Sequence, residues 1–285
     1  MEGSAGHDKM SRKKRRQSGK SAVGIIEEAT HLLRILPASI FIGYYVGSLP
    51  FVAGFLYFWA DMSRDAFAYR HAAEASFVVA VLFVWMKCLQ AVFAEQLSTL
   101  ISNGPSIGWS IKRVLRLIVI QTAVQPTGLL TLPVAALALV PLGWTYAFYQ
   151  NVTVLGGRGT AGIGDVCRKS FRQAMLFQAQ NHILLSILSL FGFFVFLNTV
   201  MVMFMTPHML NTFFGIETVF TRAGLSMFNT TFFAAACVIV YVLVDPLMKA
   251  IYTLRCFYGE SLHTGEDLLV ELKGFQTEKE GLRCE

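Results

Sequence analysis

Long apolar runs alternate with short polar segments along this chain. The run 35–59 has 25 residues without a charge. A helix of about 20 apolar residues crosses the roughly 30 Å hydrocarbon core of a bilayer. The run therefore predicts a first crossing, and similar runs at 77–97, 182–205 and 229–252 each predict one more.

The stretch 114–155 is too long for a single crossing at 1.5 Å per residue. Basic residues flank it on both sides, so the chain should enter and leave it at the same face of the membrane. We expect a tight helical hairpin with its reversal between Pro126 and Pro133, which brings the total to six crossings. A re-entrant element is the alternative.

Three further segments have apolar residues near helical spacing, interleaved with polar ones. Segment 21–36 precedes the first crossing and predicts an amphipathic helix in the membrane surface. Segment 206–228 is expected on the outer surface, and segment 160–180 predicts a cytoplasmic amphipathic helix. The apolar positions of the last one are Ile163, Val166, Phe171, Met175 and Leu176.

These patterns predict an all-α polytopic membrane protein of about six transmembrane helices with flanking amphipathic interfacial helices. Residues 1–20 are expected to be a disordered, basic cytoplasmic N-terminus. Residues 21–252 would form the transmembrane domain, and residues 253–285 a cytoplasmic tail. The composition agrees with this class, because 54% of the residues are hydrophobic and only 15% are charged.

The distribution of positive charge predicts the orientation. Apart from Lys87, only three of the 24 Lys and Arg residues fall on the predicted outer segments: Arg64, Arg70 and Arg222. Positive residues concentrate on cytoplasmic loops, so both termini are expected in the cytoplasm. The basic run before residue 21 suits anionic lipid head groups better than nucleic acid, because it adjoins a membrane segment.

No catalytic, cofactor or metal motif passes a check of its context. Gly157, Gly159 and Gly162 match GxGxxG, but a dinucleotide site needs a βαβ unit and a membrane helix precedes these glycines. The five cysteines form no CxxC pair, and the six histidines form no HExxH or i, i+4 pair. We expect no enzyme, no cofactor and no metal site.

Lys87 and Asp245 are ionisable residues inside predicted crossings. Such a group costs about 2.5–3.5 kcal/mol to insert and usually faces a partner within the bundle. We expect the two to form an intramembrane ion pair if the second crossing begins nearer Ala72. The pair would act as a proton or ion relay or would hold two helices together. The remaining alternative is that each side chain reaches the inner interface separately.

Three amides also fall within predicted crossings. Gln121 and Gln125 are four residues apart and share one helix face, and Asn198 lies in the middle of the fifth crossing. Hydrogen bonds between helices explain such residues without any substrate.

Two stretches carry a family resemblance. One runs from Trp144 to His182 and contains Arg168-Lys169-Ser170-Phe171-Arg172, and the other is 254–268 with its Leu-Arg-Cys-Phe-Tyr-Gly start. Together they resemble bacterial membrane proteins similar to the membrane domain of some glycerophosphodiester phosphodiesterases. The resemblance implies a helical architecture in a bacterial inner membrane. It transfers no activity, because the hydrolase domain of those enzymes is absent.

The sequence favours a non-enzymatic membrane anchor or assembly partner that contacts another membrane protein or further copies of itself. Segment 160–180 and the tail would supply the contact surfaces. The alternative is a small-solute or ion transporter or channel, with Pro126, Pro133 and Pro141 shaping a broken-helix site near the three amides. A lipid-modifying enzyme would need clustered histidines and carboxylates at one interface, for which His71 and Glu74 are too few.

Overall fold

The computed structural model describes residues 20–102, 104, 108, 110–138, 142–158, 162–218, 221–222, 228–265, 267–270 and 272. These residues form helices and turns, and none of the described residues lies in a strand. The fold class is all-α, as predicted. Of the predicted disordered segment 1–20, only Lys20 is among the described residues.

The longer helices follow one another from residue 22 to residue 264. They are α1 (Ala22–Ile35), α2 (Ala38–Arg64), α3 (Ala72–Ser102), α4 (Ile111–Val124), α5 (Gly128–Ala138), α6 (Leu142–Gly156), α7 (Ile163–Met175), α8 (Gln178–Phe214) and α9 (Thr230–Thr264). Short 3-10 turns precede α3 at Ala68–Arg70 and join α4 to α5 at Gln125–Thr127.

Five helices in the described part of the chain are long and apolar enough to cross a membrane. They are α2, α3, the continuous stretch Ile111–Ala138, α8, and Thr230–Leu262 within α9. Only 17% to 33% of the most apolar window of each is buried inside the protein. Apolar faces exposed to this extent are covered by lipid in a membrane protein. The chain is therefore a multi-pass membrane protein, with five such helices where six crossings were predicted.

The difference arises in the stretch 114–155. The helix continues through Pro126 in the 3-10 turn and through Pro133 within α5, so a reversal between these prolines is wrong. Proline is tolerated in membrane helices because neighbouring hydroxyls and helices satisfy the backbone. Here the Thr127 hydroxyl donates to the Val124 carbonyl at 2.7 Å.

A helical hairpin does form, but its second arm is short. α6 packs against both α4 and α5. With 15 residues it is too short to count as a full crossing helix. Arg113, at the start of α4, donates from Nε and Nη2 to the carbonyl of Gly157 at 3.2 Å and 2.8 Å. Because Gly157 directly follows α6, the chain enters and leaves the hairpin at the same end.

Two helices extend beyond their predicted crossings. α8 has 37 residues and continues to Phe214, so the first part of segment 206–228 belongs to this helix and forms no separate surface helix. α9 continues to Thr264, so the first residues of the predicted tail 253–285 are helical. Gly265 follows with a φ of 69°, a left-handed conformation that ends the helix without a Cβ penalty.

The chain divides into two compact units. Unit 1 consists of Met1–Leu36, Ala94–Leu185 and Lys249–Glu285, and unit 2 of Pro37–Phe93 and Ser186–Met248. Among the described residues, the buried polar side chains of unit 2 are Ser48, Gln90 and Asp245, and the other 14 belong to unit 1. A buried polar group is stable only with hydrogen-bond partners. The buried polar side chains of unit 1 therefore form the main candidate for a functional site.

Within unit 1, α1 is an amphipathic helix, as its spacing predicted. Ser21 caps it by accepting a hydrogen bond from the Gly24 amide at 3.1 Å. Ile25 and Ala29 are buried on its apolar face. On its polar side Glu28 accepts hydrogen bonds from the Tyr258 hydroxyl at 2.7 Å and 2.9 Å. The Glu28–Tyr258 contact thus joins α1 to α9.

α7 turns a largely polar face toward the rest of unit 1. Val166 is buried, but the residues that accompany it are Ser170, Gln173 and Ala174. Of the predicted apolar set, Ile163, Phe171 and Met175 are exposed. The apolar positions named from the sequence therefore lie mostly on the outer face of α7, and the buried face meets polar groups such as the Asn151 amide.

Candidate functional site

The densest polar contacts in unit 1 centre on Asn181, near the start of α8. Asn181 is fully buried. Its Oδ1 accepts hydrogen bonds from the Tyr252 hydroxyl at 2.9 Å and from Nη1 of Arg255 at 2.5 Å. Its Nδ2 donates to the carbonyl of Gly143 at 2.6 Å. One amide therefore fixes α6, α8 and α9 to each other.

Asn151 makes a second link in the same interior. Its Oδ1 accepts a hydrogen bond from the Cys256 thiol at 3.3 Å, and its Nδ2 donates to the carbonyl of Ser170 at 3.1 Å. Asn151 and Cys256 are both about 1% exposed. This amide joins α6 to α7 and α9.

Gly259 of α9 lies against the Gln173 side chain of α7. A Cβ at this position would collide with the Oε1 atom of Gln173. A larger residue at position 259 would require the Gln173 side chain to shift.

Buried cations are the second feature of this network. Lys249 is fully buried and donates to Oε1 of Gln150 at 2.7 Å. Arg113 forms a buried ion pair with Glu95, and Arg158 pairs with Glu260 at 2.9 Å. Arg255 contacts neutral groups instead: the Asn181 oxygen and, from Nη2, the carbonyl of Leu176 at 3.2 Å.

This arrangement can hold positive charge inside the protein at fixed positions. Asn151 and Asn181 are each oriented by at least two partners, so Arg255 beside Asn181 has little freedom to move. Fixed, buried donors of this kind bind anions or stabilise helix packing, because both uses need preorganised charge.

The two stretches that carry the family resemblance meet in this network. Asn151 and Asn181 lie in the first stretch, and Arg255 and Cys256 lie in the second. The sequence interpretation did not select these residues. The polar pair Gln150-Asn151 inside an apolar helix was the available signal, because such residues need partners in a membrane protein.

Unit 2 contains a smaller polar cluster around the two predicted ionisable residues. Asp245 accepts hydrogen bonds on Oδ2 from the Tyr44 hydroxyl at 2.7 Å and from Nε2 of Gln90 at 3.0 Å. Lys87 donates to Oε1 of the same Gln90 at 3.2 Å. The Gln90 amide also donates to the Tyr241 hydroxyl at 2.7 Å. Gln90, absent from the predicted site, therefore contacts both members of the predicted pair.

Gln121 and Gln125 face α6 within the hairpin. Gln125 donates from Nε2 to the Tyr149 carbonyl at 3.2 Å and to the Thr153 hydroxyl at 3.0 Å. Gln121 is fully buried, and neither atom of its amide has a hydrogen-bond partner among the described residues. Gly156 of α6 packs against this amide: a Cβ added to Gly156 would lie 3.1 Å from Nε2 of Gln121.

Asn198 lies apart from these clusters. Its side chain is exposed and donates to the carbonyl of Phe194 at 2.8 Å, one turn earlier in α8. The structure thus brings Gln121 and Gln125 to one hairpin and leaves Asn198 on an open helix face.

One group of side chains in unit 2 has donors suited to a metal ion. Ligand atoms of Asp61, Asp65 and His71 lie within 4.8 Å of one another, and Nε2 of His71 is 2.7 Å from Oδ2 of Asp61. The 3-10 turn at Ala68–Arg70 folds His71 back onto the end of α2. Two carboxylates and an imidazole are ligands that Zn²⁺ and Mn²⁺ accept. The sequence did not predict this group, because two aspartates and one histidine at this spacing match no established metal-binding motif.

Comparison with known proteins adds no relative. No protein-family model, curated protein or solved structure matches the chain. Function is therefore argued from the residues alone.

Proposed function

We propose that the protein is a non-enzymatic multi-pass protein of a bacterial inner membrane that anchors or assembles with a partner membrane protein or with further copies of itself. The observation that carries this is the two-sided character of α7. One face is buried, where the Asn151 amide of α6 bonds the Ser170 carbonyl and Gln173 lies against Gly259 of α9. The other face presents basic and apolar side chains to the surroundings.

The exposed face of α7 has the composition of a contact surface. Lys169 and Arg172 are exposed, and between them Phe171 is 58% exposed. Met175 is exposed one turn later. Aromatic residues, Met and Arg are enriched in protein interfaces, and a Phe placed in water on a rigid helix is stabilised by a partner.

Both termini are assigned to the cytoplasm in this proposal. Five full crossings alone would separate the termini, and the short arm α6 brings the chain back. The contact of Arg113 with Gly157 supports this return, because it joins the two ends of the hairpin. The positive-inside distribution points the same way. The basic segment before residue 21 would add attraction to anionic lipid head groups, with no role for nucleic acid.

Cross-linking and purification of the full-length protein from its native membrane test the proposal. We expect a reproducible membrane-protein partner or a homo-oligomer, reduced about tenfold by the double substitution Lys169→Glu and Phe171→Ser. The matched control is Phe213→Ser, which removes a Phe that is 71% exposed at the end of α8 in unit 2. Equal recovery with both variants would contradict the assigned surface. Reporter fusions at either terminus test the orientation.

Transport of a small solute or ion is the second candidate, and Gln121 is the observation that favours it. A fully buried amide without a partner among the described residues is costly in a membrane, unless a solute or another polar group meets it. Uptake by proteoliposomes containing only this protein, lost in Gln121→Leu but kept in Asn198→Leu, would favour transport. No uptake, together with a stable partner, would favour assembly.

A further inference from the structure

Arg255 is a buried permanent charge. Its residue is 7% exposed. A guanidinium does not lose its proton in proteins, so it stays positive inside unit 1. A buried charge is stable only when it is paired and hydrogen-bonded. The partners of Arg255 therefore decide what this part of the protein can bind.

All described partners of Arg255 are neutral. Nη1 donates to Oδ1 of Asn181 and Nη2 to the carbonyl of Leu176. The guanidinium also lies over the Tyr252 ring, 5.4 Å from its centroid. No carboxylate among the described residues lies within ion-pair distance of Arg255. Its Nε has no hydrogen-bond partner among them either.

Two other arginines of unit 1, the buried Arg113 and the half-buried Arg158, provide the comparison. Arg113 has Glu95, and Arg158 has Glu260. The chain thus supplies a carboxylate to two of its arginines and only amide and carbonyl oxygens to the third. Arg255 differs from both in having an unmatched charge at a site that its neighbours hold in one geometry.

The geometry leaves one edge of Arg255 for a ligand. Asn181 takes the Nη1 side, and Tyr252 orients the same Asn181 oxygen. On the opposite edge, Nη2 makes a long hydrogen bond to the Leu176 carbonyl, and Nε has no hydrogen-bond acceptor among the described residues. Two parallel N–H groups on one edge form the fork that binds two oxygens of a phosphate or carboxylate.

Further positive charge near this edge favours an anionic ligand. Leu176 ends α7, and its amide bonds to the Arg172 carbonyl. Arg172 and Lys169 are exposed on the last turns of the same helix. At a membrane surface the abundant oxyanions are lipid phosphates, which basic side chains attract, so the group favoured here is a phosphoryl group and not a carboxylate.

We infer that Arg255, held by Asn181 and Tyr252 at the junction of α7 and α8, binds a phosphoryl oxyanion. The anion belongs either to the head group of an anionic phospholipid or to a free phosphate compound. Asn181 and Tyr252 are positioning residues. The Nε and Nη2 edge of Arg255 makes the contact.

Thermal unfolding of the full-length protein in an uncharged detergent tests this. Separate samples receive inorganic phosphate, short-chain phosphatidylglycerol, or sodium chloride at matched ionic strength. A ligand bound only by the folded state raises the midpoint, and we expect a rise of about 4 °C or more at saturation. A rise with phosphate identifies a free phosphate compound, and a rise with phosphatidylglycerol alone identifies a lipid head group.

Two variants test whether the rise in the unfolding midpoint depends on Arg255. Arg255→Gln should respond by less than about 1 °C, because the fork is lost. Arg222→Gln is the matched control: it removes the same charge from an arginine whose side chain is 77% exposed in unit 2, and it should respond like the parent. An equal response in Arg255→Gln, or no response of the parent to either ligand, overturns the inference.

Hydrogen–deuterium exchange on the unsubstituted protein decides the matter if Arg255→Gln does not fold. We expect the ligand to slow exchange about fivefold or more around Leu176 and Asn181. Exchange in α2 should stay unchanged. Absent protection, or protection confined to other segments, overturns the inference.

Discussion

Arg113 forms a buried ion pair with Glu95 and at the same time bonds the Gly157 carbonyl. The pair joins the end of α3 to the start of α4, and the carbonyl contact adds the residue after α6. Three chain segments therefore meet at one guanidinium, which closes the base of the helical hairpin.

Glu95→Gln should destabilise the protein by about 3–5 kcal/mol, because it leaves the Arg113 charge buried without its partner. The measurement is the free energy of unfolding in mixed micelles. Glu217→Gln is the matched control, since it breaks an Arg–Glu pair whose side chains are 77% and 58% exposed. It should cost no more than about 1 kcal/mol. Similar losses for the two variants would contradict a special role for the Arg113 pair.

Gly47→Ala should destabilise unit 2 by about 1–3 kcal/mol, because the added methyl overpacks a helix contact. A Cβ on Gly47 would lie 2.6 Å from the Cβ of Leu89, which has no freedom to move away. Gly43→Ala, one turn earlier in α2, is the control because a Cβ there meets nothing within 4 Å. The midpoints of thermal unfolding should separate the two alanine variants. If Gly43→Ala costs as much, helix propensity and not packing explains the glycines.

The predicted pairing of Lys87 with Asp245 calls for a double-mutant cycle. We expect Lys87→Met and Asp245→Asn to be non-additive by about 1 kcal/mol or more in the free energy of unfolding. Gln90 contacts both residues, so repeating the cycle in a Gln90→Leu background should reduce the coupling. Additive losses in the parent background would refute the pair. Unchanged coupling without Gln90 would show that the amide takes no part in it.

Cys167 gives a prediction on pH dependence. Burial raises the pKa of its thiol above the ordinary value of 9.0. A raised pKa lowers the thiolate fraction at neutral pH, so alkylation should be slow near pH 7 and accelerate through pH 9 and above. Mass spectrometry of maleimide labelling measures the rate. Phe171→Cys in a Cys167→Ser background supplies an exposed thiol on the same helix, which should react faster at pH 7. Equal rates would contradict the burial effect.

The sequence predicted the membrane class and most crossings because lipid imposes a simple rule on length and polarity. The runs 35–59, 77–97, 182–205 and 229–252 each contain most of a spanning helix. Their ends were less predictable, since a helix does not stop where the hydrocarbon stops. α8 and α9 continue for several turns as their own backbone bonds allow.

The position of the reversal in the hairpin was predicted wrongly because proline was expected to end the helix. In water Pro126 and Pro133 would favour a break, but here the helix continues through both. The Thr127 hydroxyl bonds the Val124 carbonyl just before Pro126, and α6 packs along both α4 and α5. The buried face of α7 could not be predicted from the sequence either. Its buried residues face the Asn151 amide and the space beside Gly259, and a hydrophobicity pattern cannot reveal polar neighbours that lie far away in sequence.

The candidate site was predicted least well. Lys87, Asp245, Gln121 and Gln125 were recognisable because each is a polar residue in an apolar run. Arg255 and Asn181 lie near the ends of their runs, where polar residues are ordinary. Their significance depends on a contact between residues 74 positions apart, and spacing within one helix gives no information about such a contact.

The two arms of the hairpin should meet the lipid unequally. α6 reaches about 22 Å, whereas its 28-residue partner Ile111–Ala138 reaches about 42 Å. Every residue from Tyr149 to Gly156 in the short arm is buried, whereas only 33% of the most apolar window of the long arm is buried. A change of bilayer thickness should therefore act on the hairpin mainly through the long arm, which is long enough to tilt in a thin bilayer.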